Sequence, residues 1–268
     1  MKTYSRNLSV KSAAKTDSTA IGRRIVRTEA ICLRTTRTRE TSKLVTFFSF
    51  DTGKLTCLAK GARGPRSKFG AGLEQFAVSK IIYYYHQMKT IYTISDAELV
   101  RSFPELTMNS TRFLAAEQLA EFLLRTVKPH NPAPRVYRLT ITYLAALETA
   151  DSHFPALVGS FLLKATSFLG FRPELRRCLR CHRPINKDKS CVFDPEQGGV
   201  FCSECGQGAS GKSIKREQLQ DLVYLLYTPV KEIAESPPAE EQLSLILQFV
   251  SAHIDPLLLN SFNWNAFE

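Results

Sequence analysis

Two short cysteine pairs constrain this chain more than any other feature. Cys178-x-x-Cys181 and Cys202-x-x-Cys205 stand 20 residues apart. A two-residue gap lets both sulfurs of a tight turn face one ion, and two such turns complete a tetrahedron. The expected occupant is a single structural Zn²⁺. Four thiolates leave no open position for water or substrate, and closing such a site contributes on the order of 10 kcal/mol to folding. They also carry a formal charge of −2, which Arg176, Arg177, Arg180 and Arg183 are placed to offset. The competing reading is a redox dithiol, which sits at a helix start in a βαβ context that this segment lacks. His182 adjoins Cys181 and is expected to point away, and Cys191 is a weaker ligand candidate in the intervening loop. Cys32 and Cys57 lie in apolar stretches and read as small buried hydrophobes.

Around this motif the hydrophobic pattern changes period. Residues 28–33, 43–50, 54–60, 75–85 and 91–100 are rich in β-branched and aromatic types and are separated by turn signals such as Asp51-Thr52-Gly53. Five strands in so short a span leave no room for crossover helices. They predict a small antiparallel barrel of the OB type, with an SH3-like barrel as the alternative. After Pro104 the period becomes helical. Phe113, Ala116, Ala120, Leu123 and Val127 form one face; Val136, Leu139, Tyr143 and Leu147 a second; Leu157, Phe161, Ala165 and Phe168 a third. Helical patterns return over 214–227 and 240–254, on either side of Pro237-Pro238. The expected fold is therefore α+β: an OB-type barrel over 25–103, a helical domain over 104–175 and 211–268, and a four-cysteine zinc finger over 176–210 inserted into it. Residues 1–24, basic and without periodicity, read as a disordered tail. An organellar import segment is the less favoured alternative.

Charge is distributed as unevenly as the periodicity. Residues 1–103 hold 19 Lys/Arg against 7 Asp/Glu, whereas residues 104–268 hold 17 against 18. A polyanion-facing first domain attached to a near-neutral partner accounts for that asymmetry. Within it, Lys60-Gly61-Ala62-Arg63-Gly64-Pro65-Arg66-Ser67-Lys68-Phe69-Gly70 has four cations, three glycines and no acid. Glycines let backbone amides approach a phosphate, and spaced cations neutralise its neighbours. Arg34, Arg37, Arg39 and Lys43 form a second cluster between the first two strands. Phe47, Tyr83, Tyr84 and Tyr85 could stack on unpaired bases, although alternation turns at least half of them inward. No apolar window is long enough to span a membrane and no secretory signal is evident, so the expected location is cytoplasmic, with no membrane partner, and a DNA partner would make it nucleoid-associated.

Taken together these residues resemble the bacterial RecO family of recombination-repair mediators, from Ile25 to Phe262. Glu29-Ala30-Ile31-Cys32-Leu33-Arg34 is similar to the family's opening strand, and Lys60 through Phe76 to its basic loop. Phe171-Arg172-Pro173, Phe193 and Gly198-Gly199-Val200 are similar to its zinc region. The resemblance implies binding of single- and double-stranded DNA and annealing of complementary strands. It further implies action with RecR and single-strand-binding protein to load the RecA recombinase. Carried over by motif, the DNA-contacting candidates are Arg34, Arg37, Arg39, Lys43, Lys60, Arg63, Arg66 and Lys68. Arg39-Glu40-Thr41-Ser42 departs from the family's Gly-Glu-x-Asp turn.

An enzyme acting on nucleic acid would need clustered carboxylates or an open metal. The acids of the basic half are scattered, the five histidines show no metal-pair spacing, and no phosphate-binding Gly-x-x-x-x-Gly-Lys loop is present. The expectation is a protein that works by binding alone. The alternative is a zinc-containing RNA-binding or transcription adaptor.

Overall fold

The computed structural model describes residues 23–185, 188–235 and 242–256. The tail expected over 1–24, except its last two residues, and the Pro237-Pro238 break lie outside them. Strands β1 (Arg23–Thr38), β2 (Ser42–Ser49), β3 (Gly53–Ala59), β4 (Val78–His86) and β5 (Ile91–Arg101) close in the order β1-β2-β3-β5-β4. All pairings are antiparallel except β3 with β5. The five strands fall where the alternation predicts them, in an OB-like ring. Three boundaries move. The first strand begins at Arg23 instead of Thr28, so the last two residues of the expected tail are strand, paired with His86 and Tyr85 of β4. It runs to Thr38 because β2 pairs with its basic end as far as Thr38↔Ser42. The fourth starts at Val78, since 75–77 turn back to hydrogen-bond β1 instead of β5.

β1 explains the unbroken apolar run 30–33. Ala30 and Cys32 point into the barrel with Val45, Phe47, Ile81 and Tyr83. Ile31 and Leu33 point outward into a second core shared with the helices. A strand covered on both faces loses its polar alternation.

The helices are α1 (Pro104–Met108), α2 (Ser110–Thr126), α3 (Pro134–Thr149), α4 (Phe154–Phe168), α5 (Arg216–Tyr227), α6 (Val230–Glu235) and α7 (Leu243–His253). Among these described elements none is long and apolar enough to cross a membrane. α4 is buried on nearly every side, as expected of the central helix of a bundle. Phe161 on α4 meets Phe122 at 5.8 Å and Tyr143 at 5.5 Å, both edge-on. The helical pattern read from residue 214 begins two residues later, because Lys212–Lys215 form strand β9. That strand completes a sheet with β6 (Glu174–Cys178), β7 (Ser190–Asp194) and β8 (Gly199–Phe201), in the order β6-β8-β7-β9. Leu175, Phe193, Val200 and Ile214 from this sheet join the helical core, so the cysteine segment is built into that core.

Barrel and helices are also joined through backbone. Gly53, at φ +73°, brings the β2–β3 turn against the α2–α3 connection, where an added Cβ would lie 2.5 Å from the Asn131 carbonyl oxygen and 2.8 Å from that of Lys128. Gly53→Ala should therefore lower stability by about 1–3 kcal/mol through combined clash and strain, read as a lower Tm in thermal denaturation.

Inside the bundle, the Lys164 ammonium donates to the Tyr143 hydroxyl at 3.0 Å and to the Thr228 carbonyl. Tyr143 meets Ser160 at 2.6 Å, and Ser160 donates to the Leu225 carbonyl at 2.6 Å. Burial pushes Lys164 down to about 8. The unfolded chain then binds more protons than the folded one between pH 8 and the usual lysine range, so this group makes folding more favourable as pH rises through that window. In chemical denaturation, the stability of wild type relative to Lys164→Met should rise across that window.

Candidate nucleic-acid interface and cysteine cluster

Register places the basic residues. β1 carries Arg34 and Arg37 outward and turns at Arg39, which has φ +52°. Arg37 lies directly opposite Lys43 on β2, a like-charge pairing that costs energy unless one member finds an acid. Lys43 does, donating to Glu74 at 2.9 Å.

The connection from β3 to β4 is folded back onto the barrel. Its turns are closed by Gly64 N–H to Gly61 O and Ser67 N–H to Gly64 O, both 3.1 Å. A single 3₁₀ turn follows at Gly70–Leu73. Phe69 and Leu73 then plug the barrel core, and Phe76 enters the helical core. Phe76 N–H donates to Cys32 O at 2.8 Å, and Cys32 N–H donates to Ala77 O at 2.9 Å. The register of β1 against β2 slips between Cys32 and Arg34, beside these bonds. Gly72 approaches β5 so closely that a Cβ would lie 2.5 Å from the Ala97 carbonyl oxygen.

Arg63 laces this loop to the β1–β2 turn. Its backbone N–H donates to Thr41 O at 2.9 Å and its guanidinium to Glu40 O at 3.1 Å. Arg37, Arg39, Lys60, Arg63, Arg66 and Lys68 are thereby gathered at one end of the barrel. All six are exposed, and none forms an ion pair among the described residues. Arg34 is drawn away from them. It pairs with Glu121 of α2 at 3.0 Å, and Glu121 also binds Arg125, which reaches Asp255 at 3.3 Å. Of the aromatics, Phe47 and Tyr83 are barrel core. Tyr85 is half-buried against Tyr92, at 5.4 Å, and Tyr84 is exposed.

The four cysteines converge. Cys178 ends β6, Cys202 follows β8, and the side-by-side pairing of those strands brings both turns together. The four sulfurs lie within 4.8 Å of one another. Cys181 and Cys202 are 3.8 Å apart, which is about the edge of a tetrahedron with 2.3 Å metal–sulfur bonds. Burial opposes ionisation of Cys178, but backbone N–H groups of Cys181, Cys202 and Arg180 outweigh it and bring the thiol down to about 6. Cys202 is lowered too, against burial, by the Cys205 N–H and the Arg183 guanidinium.

Arg183 is thus the neighbouring cation, and it is held by Asp188 at 3.0 Å and Glu204 at 3.5 Å. Arg180 and Arg176, expected beside the sulfurs as well, lie over the rings of Phe201 and Tyr227. His182 stays outside the cluster. Cys191, read as a loop residue and a weak ligand candidate, faces Ile214 across β7 and β9, where burial pushes its thiol up to about 12. The sheet framing the cysteines was not anticipated, since its strands are three to five residues long and too short for a visible alternation.

Residues 24–103 match the recombination protein O N-terminal model, and residues 109–263 match the C-terminal model. A DNA repair protein RecO from Desulfitobacterium hafniense is 32% identical over 189 residues, covering 70% of this chain and 67% of that protein. Those of Caldanaerobacter subterraneus subsp. tengcongensis and Rubrobacter xylanophilus are 29% and 31% identical, covering 87% and 86% of this chain and 94% and 91% of those proteins. Two domain models that together cover most of the sequence, and two relatives matched over nine-tenths of their length, show that this chain belongs to the RecO family of DNA repair proteins.

Proposed function

We propose that this protein is a recombinational repair mediator that works by binding alone. It binds single- and double-stranded DNA, anneals complementary strands and, with RecR, helps load RecA onto DNA coated by single-strand-binding protein. The observation that carries this reading is the set of six exposed cations without ion pairs among the described residues, two at the end of β1 and four on the loop laced to it. A phosphate backbone can replace water around them without first breaking a protein salt bridge, and release of condensed counterions supplies the affinity. The partner proteins rest on family membership.

Lys60→Ala with Arg66→Ala should weaken binding of a single-stranded oligonucleotide and reduce the slope of log K against log salt by about 1.4, or about 0.7 for each lost phosphate contact. Fluorescence anisotropy across a salt series measures it. An unchanged slope would remove the loop from the interface.

In the same reading the four sulfurs hold one structural Zn²⁺, which fits their spacing, the lowered thiols of Cys178 and Cys202 and the adjoining guanidinium. Four sulfur donors saturate the ion, and its role is to pin β6 and β8 to the helical core. Cys178→Ser should release zinc, measured by a chromogenic chelator, and lower Tm by several degrees. A variant with full zinc content and unchanged Tm would remove the structural site.

A further inference from the structure

The near-neutral second half of the chain conceals a strong local imbalance. Residues 172–216 contain ten Lys/Arg against five Asp/Glu. Four of those acids are already engaged. Glu174 accepts from the backbone N–H groups of Arg176 and Arg177 at 2.8 and 3.0 Å. Asp194 accepts from the N–H groups of Glu196 and Gln197, both at 3.0 Å. Asp188 and Glu204 hold Arg183. Arg172, Arg176 and Arg216 are exposed and form no ion pair among the described residues.

Two of these arginines are ordered without being neutralised. The guanidiniums of Arg172 and Arg176 lie 4.9 and 4.3 Å from the centre of the Tyr227 ring, which is itself partly exposed. Stacking on a ring fixes a guanidinium while leaving its charge and its N–H donors available. A carboxylate partner would consume both. Arg176 is also shared with a groove of about 380 Å³ between β6 and α5, whose floor includes Leu175, Leu219 and Val223 and whose rim includes Arg216. Arg216 opens α5 and Tyr227 ends it, so the cations flank the length of one helix, roughly 16 Å. No residue of the barrel's basic loop lines this groove.

We infer that Arg172, Arg176 and Arg216 form a second phosphate-binding surface, which holds the backbone of a second nucleic-acid strand while the barrel loop holds the first. This rests on the reading that the chain binds nucleic acid, and it gives that reading a physical basis for annealing. One molecule carries two strands whose mutual repulsion is screened by separate sets of cations. A single-stranded nucleic acid fits better than an acidic peptide because cations continue beyond the groove. Arg177 on β6 and Lys212 and Lys215 on β9, the two outer strands of the small sheet, are also exposed, and Lys215 directly precedes Arg216, so the cations extend beyond what a short peptide would use.

The test uses the full chain and two non-complementary single-stranded oligonucleotides, one with a donor dye and the other with an acceptor. Energy transfer reports simultaneous occupancy, and anisotropy of one strand alone reports the first site. Wild type should hold both. Arg172→Ala with Arg176→Ala should reduce double occupancy about tenfold or more, as expected when two charged hydrogen-bonding groups are lost, while binding of one strand stays close to wild type. Arg216→Ala, at an exposed helix start, should give a smaller loss in the same direction, and Tyr227→Phe should preserve double occupancy. If wild type binds one strand and never two, or if the double variant carries both strands as well as wild type, the second surface is refuted and the barrel reading stands. If neither strand binds, the nucleic-acid reading falls with it. Displacement of the second strand by an oligoglutamate peptide at equal charge concentration would assign the surface to an acidic protein segment and overturn the proposal.

Discussion

Everything in this molecule leans on a four-residue stretch of β1 that is covered from both sides. Ala30 and Cys32 close the barrel interior while Ile31 and Leu33 close the helical core. Because the side-chain period of a strand is two, a slip of one residue would exchange the two sets. The basic loop is pinned to the same stretch by the hydrogen bonds at Cys32, and Gln75 donates to the Leu33 carbonyl at 3.1 Å. One short segment therefore fixes the register of the barrel, its docking on the helices and the position of the cations.

The helical half is organised the same way around α4, which has almost no solvent face. Gly159 on α4 allows α7 to approach, as an added Cβ would lie 2.7 Å from Leu243 and 3.2 Å from Ile246. The cysteine sheet feeds this core directly: β9 passes into α5 without a loop, and Phe193 of β7 lies 6.5 Å from Phe249 of α7. A metal at the cysteines would thus act on helices that hold none of its ligands.

Much of this was legible in the sequence because the signals were periodic or covalently short. The alternation in β2 and β3 and the three-four spacing in α2, α3 and α4 each encode a local repeat. The two cysteine pairs encode a turn. What stayed hidden depended on contacts distant in sequence. Nothing near Arg34 or Lys43 reveals that Glu121 and Glu74 will meet them. The strands of the cysteine sheet are too short to show a period. The stacking of Arg172 and Arg176 on Tyr227 joins residues some fifty positions apart, and averaging charge over half the chain erased the basic segment to which they belong.

The lacing of Arg63 to Thr41 and Glu40 has a kinetic meaning. A loop that must become ordered as its ligand arrives slows capture and spends affinity on its own conformational entropy. Here six cations stand on backbone already fixed by turns, a buried plug and contacts between loops. Encounter with a polyanion is then governed by the long-range field of the barrel end. On the proposed reading, such a surface would seize a strand quickly and, as salt rises, would give it up without any part of the protein having to unfold.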